Sequence, residues 1–381
     1  MNLTQVKERF AGLYGGGGAM SFHSPGRVNL IGEHTDYNGG YVFPCALTLG
    51  TYGVARKRDD KIMRLASVNF GVPVEISLDA VVYNTEHEWV NYLLGVVDEF
   101  QKLGVGLSGL DLLIAGDVPS NAGLSSSASV ELLMSVVLNE LSDSKIPMLD
   151  LVRLSQRAEN RFVGVNCGIM DQFAVGMGQK DRAMLLNCAD LDCQYIPVML
   201  EDHSLIIGNT NQPRGLAGSK YNERRAECER AAVALGVKLL GDITPEGFEV
   251  NKHKIVDEIA LKRATHVIYE IDRTMAAARN LAGGDLEAFG LLMNDSHDSL
   301  ADLYEVTGFA LDALAMAARG QSGVLGSRMT GAGFGGCTVS LVRRDSVGDF
   351  IENVGRIYKK KTGINADFYV AGIGDGARRI D

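Results

Sequence analysis

An α+β architecture in two domains follows from three features of the chain. Its 381 residues exceed the ~250–300 at which a single core usually stops growing. The first half alternates short apolar runs with helical periodicities. The second half is dominated by helical spacing, with a few strands near its end.

In order, residues 1–18 open with an amphipathic pattern (Val6, Phe10, Leu13) and close on a four-glycine break, Gly15 to Gly18. Apolar runs at 41–46, 51–55 and 63–66 predict strands. Trp89, Tyr92, Leu93, Val96, Val97 and Phe100 fall at helical spacing within 88–103. Residues 110–115 predict a strand, 131–141 and 151–163 helices, and 184–186 and 204–208 strands. Beyond the boundary placed near 194 come predicted helices at 219–235, 255–281, 285–305 and 309–319, then strands at 338–342 and 368–371.

A formal net charge of −10 with no basic block excludes the electrostatic footprint of a nucleic-acid or anionic-membrane binder. Lys359 to Lys361 follow an apolar segment and predict a solvated helix end. No stretch approaches the ~18 unbroken apolar residues of a membrane span. The six cysteines form no C-x-x-C pair and stand beside no histidine cluster, so reduced thiols are expected rather than disulfides or zinc.

Two segments carry the chemistry. Between a strand and a helix lies Gly116-Asp117-Val118-Pro119-Ser120-Asn121-Ala122-Gly123-Leu124-Ser125-Ser126-Ser127-Ala128-Ser129. Small residues let a ligand approach the backbone, and a helix N-terminus presents unpaired N–H groups, which together cradle an anion such as a polyphosphate. The Gly-Lys-[Ser/Thr] ending of a P-loop is absent. Capping accounts for any one of the serines, but less readily for three in a row. Earlier, Arg27, Glu33, His34 and Asp36 crowd into one short segment, and they need partners if buried. Such groups suit the hydroxyls of a sugar; a surface loop with local ion pairs accounts for them equally well. A glycine-rich run at 326–337 precedes a predicted strand and, by itself, reads as a turn.

Pro25-Gly26-Arg27-Val28-Asn29-Leu30-Ile31-Gly32-Glu33-His34-Thr35-Asp36-Tyr37 resembles the signature of the galactokinase family, of the superfamily that includes homoserine, mevalonate and phosphomevalonate kinases. Residues 123–129 resemble that superfamily's phosphate loop, and 326–337 its third glycine-rich motif. Cys167-Gly168-Ile169-Met170-Asp171-Gln172 and Ser219-Lys220-Tyr221-Asn222-Glu223-Arg224 also look like galactokinase.

The resemblance implies an N-terminal mixed-sheet domain over 1–193, to which strand 367–381 returns, and a C-terminal ferredoxin-like α/β sandwich over 194–366, with the active site between them. It implies transfer of the γ-phosphoryl group of ATP to the C1 hydroxyl of galactose, with Mg2+, by a cytoplasmic monomer. Asp171 is then the base, with Arg27 beside it to balance its charge. Arg27, Glu33, His34, Thr35, Asp36, Gly168, Asp171 and Tyr221 hold the sugar. Asn121, Ala122, Gly123, Leu124, Ser125, Ser126, Ser127 and Ala128 wrap the phosphates. Ser127 and Glu159 ligate the metal. Ser67 touches the nucleotide, Trp89 and Tyr92 border its base, and His297 is structural. Asn121 stands where many relatives have glycine. Two other readings stay open. One is a sugar-sensing regulator, disfavoured by the complete Ser127-Ala128-Ser129. The other is a kinase of a related sugar such as N-acetylgalactosamine.

Overall fold

The computed structural model describes residues 2–118, 123–212 and 217–381, with backbone alone for 217–219. Helix α1 (Leu3–Tyr14) precedes β1 (Met20–Asn29), β2 (Tyr41–Val42), β3 (Pro44–Lys57), β4 (Ile62–Ser67) and β5 (Val74–Ser77). Then come α2 (Val90–Lys102), β6 (Leu110–Gly116), α3 (Ser126–Ser142), α4 (Met148–Ala158) and α5 (Met170–Met177). Strands β7 (Arg182–Asn187), β8 (Cys193–Pro197) and β9 (His203–Asn209) lead into α6 (Ala217–Leu235), α7 (Pro245–Asn251), α8 (Glu258–Ala282), α9 (Leu286–Ser299) and α10 (Gly308–Arg319). The chain ends with β10 (Val324–Thr330), β11 (Cys337–Arg343), α11 (Val347–Thr362), β12 (Asp367–Ala371) and β13 (Arg378–Arg379).

The first sheet runs β13-β1-β3-β6-β4-β5, with β4 and β6 parallel and the other pairs antiparallel. Strand periodicity decides what each face covers. Leu112 and Ile114 of β6 join the core made with α2, α3, α4 and α5, whereas Leu113 and Ala115 pack with Val6 and Phe10 of α1. The second sheet, β10-β11-β9-β12, is antiparallel, with its central strands β9 and β11 buried on both faces and the edge strand β12 partly exposed. In β9 this gives the unbroken apolar run Leu205-Ile206-Ile207 rather than an alternation. Ile206 faces α10 and α11, while Leu205 and Ile207 face a core shared with Val28, Leu30, Ile31 and Phe43. That shared core presses the segment after β1 against the second sheet.

The segment expected to return to the first domain divides: Asp367–Ala371 pairs with β9, and only Arg378–Arg379 pairs with β1. Strands β1, β5, β8 and β10 were unforeseen. Gly26, Arg27 and Asn29 break the apolar pattern of β1, yet all are buried or backbone-paired. The glycine-rich run at 326–337 begins inside β10, where a Cβ at Gly326 would meet Gly290 O at 2.3 Å, so close helix–strand packing and not only a turn demands glycine.

Buried ions join these parts. Arg328 of β10 is fully buried, 3.1 Å from Glu33 Oε2, and its guanidinium donates to the carbonyls of Asn29 and Leu30. Burial alone would raise the Glu270 carboxyl, but Arg273, His266 and Arg328 override it and bring it down to about 2. Glu270 accepts from Gly32 N at 3.0 Å and thereby holds the turn before Glu33. Replacing Arg328 with Met strands these carboxylates; the expected cost is about 3–5 kcal/mol in a urea unfolding curve. A change under about 1 kcal/mol would show that the ion cluster does not hold these parts together.

Candidate active site

Strand β1 departs from β3 at a bulge between Pro25 and Arg27, and this aims the Arg27 side chain away from the sheet. Arg27 N donates to Leu124 O at 3.1 Å, and a Cβ on Gly26 would lie 2.9 Å from the same oxygen. Strand and loop thus meet backbone to backbone. The Arg27 guanidinium is fully engaged: Nη1 donates to Gly123 O at 2.6 Å, Nε to Asp171 Oδ1 at 2.9 Å, and Nη2 to both Asp171 oxygens at 2.7 Å. Such bidentate pairs fix orientation as well as charge. Asp171 lies in the first turn of α5, and Ser125 Oγ donates to its Oδ2 at 2.5 Å.

Arg27, Glu33, His34, Asp36, Ser127, Glu159, Gly168, Asp171 and Tyr221 line one cavity of about 230 Å³, together with Cys167, Gly331 and Ala332. A second cavity, of about 410 Å³, is lined by Ser67, Phe70, Trp89, Tyr92, Ser126 and Ser127 among others. Ser127 is common to both. Phe70 and Trp89 lie nearly parallel at 23°, with centroids 6.4 Å apart, which forms a flat apolar slot. Helix α3 begins beneath the junction. Its first internal bond runs from Ser129 N to Ser125 O at 2.9 Å, so the N–H groups of Ser126, Ser127 and Ala128 precede the helical ladder.

Not every expected residue reaches a cavity. The Thr35 hydroxyl donates to Gly32 O and Tyr41 O, so it braces the turn and lines neither cavity. Leu124 and Ala128 belong to apolar cores. Gly123 contributes its carbonyl to Arg27, and Ser125 its hydroxyl to Asp171. Asn121 and Ala122 lie outside the described residues. His297 accepts from Met329 N at 3.1 Å, away from both cavities.

Electrostatics follow from crowding carboxylates in a dry place. Burial, then the charge of Asp171, pushes Asp36 up to about 6. Backbone N–H groups of Tyr37 and Met170 oppose the rise. Burial and Asp171 likewise raise Glu159 to about 7, although Cys167, Ser127 and Gln172 hydrogen-bond to it. Behind it, Gln172 Nε2 donates to Glu159 at 2.5 Å and to Glu131 at 3.0 Å, and burial holds the Glu131 carboxyl well above its usual range. Glu33 is raised by burial against the pull of Arg328 and Gly331 N–H. The negative surplus around Ser127 and Glu159 suits a hard cation with oxygen ligands.

Sequence reasoning missed Arg328, Glu270 and the Glu131–Gln172 pair. Glu270 had a visible signal: it falls among Ala264, Val267, Thr274 and Ala278 on the buried face of α8.

Residues 8–57 match the galactokinase galactose-binding signature, 91–179 the GHMP kinases N terminal domain, and 275–360 the GHMP kinases C terminal model. The galactokinase of Fusobacterium nucleatum subsp. nucleatum is 53% identical over 368 residues, 94% of each chain. That of Bacillus subtilis is 50% identical, covering 99% of this chain and 98% of its own. The chain belongs to the galactokinase family. A solved structure, Lactococcus lactis galactokinase complexed with galactose, superposes with a TM-score of 0.97 at 47% identity over 99% of this chain and all of that one. A mevalonate kinase structure, at 16% identity and a TM-score of 0.64 over 94% of this chain and 99% of its own, shares the fold. The chain is thus an ATP-dependent sugar kinase of the GHMP superfamily.

Two predictions follow from the cavity geometry. A Cβ on Gly168 would lie 1.8 Å from Asp36 Oδ2. Gly168→Ala therefore displaces that carboxylate and weakens sugar binding at least ~10-fold in calorimetry, with ATP binding retained; equal loss for both ligands would point to misfolding. The Asp36 carboxyl ordinarily titrates at 3.8 and here at about 6. Its proton thus favours the folded state below pH 4, and that contribution is lost as pH rises through 6. Urea unfolding at stepped pH is expected to show a fall across this window that Asp36→Asn lacks; identical profiles would remove Asp36 as its source.

Proposed function

We propose that the chain transfers the γ-phosphoryl group of ATP to the C1 hydroxyl of galactose, yielding galactose 1-phosphate and ADP. The observation that carries this reading is the position of Ser127 at the junction of two cavities, with Asp171 on the wall of one and the start of α3 beneath the other. The flat slot between Phe70 and Trp89 suits a nucleobase. The free N–H groups at the start of α3 suit phosphate oxygens. The carboxylates at Glu33 and Asp36 suit sugar hydroxyls.

Phosphoryl transfer asks the protein for alignment and charge balance more than for covalent chemistry. Asp171, held from two sides by Arg27 and Ser125, accepts the proton of the attacking hydroxyl. Arg27 steadies that carboxylate and, through Gly123 O, ties its place to the phosphate loop. Magnesium, held by Ser127 and Glu159, would neutralise phosphate charge; the hydroxyl and carboxylate already hydrogen-bond each other, and magnesium commonly takes one or two protein oxygens with the rest from phosphate and water. The same reading extends to a division into working domains near residue 193, to a monomer, and to the cytoplasm, where ATP is available. Among the described residues no helix is long and apolar enough to cross a membrane.

Asp171→Asn is expected to fold and bind ATP while losing at least ~10²-fold in turnover, measured by coupled ADP release with galactose. Near-normal turnover would remove Asp171 from its role. Run on the unaltered protein with a panel of sugars, the assay also tests the substrate: no ADP release with galactose, or faster release with N-acetylgalactosamine, would overturn the assignment.

A further inference from the structure

His34 sits in the left-handed region at φ 64, is 5% exposed, and forms part of the wall of the sugar cavity. Its two ring nitrogens have different partners. Nε2 lies 3.2 Å from Ala332 O, and Nδ1 lies 2.8 Å from Tyr37 Oη. A carbonyl oxygen only accepts, so Nε2 carries the hydrogen. The opposite tautomer would set the Nε2 lone pair against the Ala332 oxygen. Neither hydrogen-bond partner is a carboxylate, which leaves the ring neutral and Nδ1 an acceptor. Burial, reinforced by His266, Arg224 and Arg328, agrees, holding the imidazolium pKa down at about 3.

The rest of the polarity is then determined. Tyr37 Oη donates to His34 Nδ1. The Tyr37 oxygen accepts from Tyr304 Oη at 2.7 Å. The Tyr304 oxygen accepts from Cys228 Sγ at 3.1 Å. Four consecutive bonds point one way, from a thiol in the helical core to the rim of the cavity. Tyr304 is fully buried at the end of the π-helical turn Leu300–Tyr304 that follows α9, and its ring packs 4.7 Å from that of His34. Neither Tyr37 nor Tyr304 lines the sugar cavity.

We propose that Tyr37, oriented by Tyr304 and Cys228, is a positioning residue that locks His34 as its Nε2–H tautomer and so makes it a dedicated donor to an incoming sugar hydroxyl. This rests on the reading of that cavity as the sugar site. A donor-only group recognises a hydroxyl by its lone pairs. It exchanges Ala332 O for the sugar oxygen and disfavours a deoxy sugar at that position, since the buried donor gains nothing there. The second nitrogen of a histidine sets what the first can do, and here a chain of hydroxyls sets the second.

The lock is read without any sugar, by 15N NMR of imidazole-labelled protein. In the unliganded protein at pH 7, His34 is expected to show a protonated Nε2 and a bare, hydrogen-bonded Nδ1. A cationic ring, or hydrogen on Nδ1, overturns the proposal even if galactose is phosphorylated. Tyr37→Phe removes the donor to Nδ1 with the ring kept. Its Nδ1 resonance is expected to move toward that of a non-bonded imidazole nitrogen, and the KM for galactose to rise about five-fold, the size of one net hydrogen bond, with the KM for ATP unmoved. An unmoved Nδ1 resonance contradicts the lock. If Tyr37→Phe does not fold, Tyr304→Phe, which releases the Tyr37 hydroxyl, is expected to shift the same resonance by a smaller amount, and no shift there contradicts it as well.

Discussion

The Arg27 guanidinium holds the site together, because it ties strand β1 to two other pieces of chain. One edge grips the carboxylate of Asp171 on α5, and the other grips Gly123 O in the phosphate loop. Its own backbone N–H pins Leu124. A guanidinium presents its donors in a rigid plane, so these contacts set distances as well as charges. With its own side chain 4% exposed and that of Asp171 29%, the pair is screened less than a surface ion pair. The pocket for a hydroxyl compound and the cradle for phosphate therefore cannot move independently.

Around this pair the protein buries more carboxyl groups than it has cations to pair with them, and protons take up part of the excess. Asp36, Glu131 and Glu159 are raised first by burial, and Asp171 adds to each. Such a site is costly to keep empty and is relieved by ligands that bring donors or positive charge. A polyol supplies hydroxyl donors, and a metal–nucleotide complex supplies the cation. The structural ion cluster behaves differently, since Arg328 and Arg273 match the two carboxylates Glu33 and Glu270, which are also tied to backbone N–H groups. Glu33 belongs to both groups, which explains how a residue on the cavity wall can be held so firmly by the second sheet.

Much of this was legible from residues. The serine-rich turn announced its helix start through composition, whereas the polar groups at 24–38 fitted a surface loop as well as a site until the motif around them was matched. Long helices with clear periodicity, such as α2 and α8, were found to within a few residues. What escaped depended on tertiary contact. Strand β1 escaped because a bulge and a buried arginine interrupt its apolar pattern. Strand β10 escaped because Gly326 and Arg328 suit a neighbour rather than a propensity. Thr35 was expected at the sugar because of the motif around it, yet its hydroxyl is spent on two carbonyls of its own turn. The Tyr304 hydroxyl was invisible, because nothing in its local sequence reveals that it lies beside Tyr37.

The central claim is that one carboxylate at position 171 serves ligands in two cavities that meet at Ser127. A crystal structure with galactose and a non-hydrolysable ATP analogue bound together tests it most directly. The account predicts the sugar C1 oxygen within about 3–3.5 Å of the γ-phosphorus, in line with the bond to be broken, and within hydrogen-bond reach of Asp171. Ligands separated by protein, or a C1 oxygen turned away from Asp171, would contradict it.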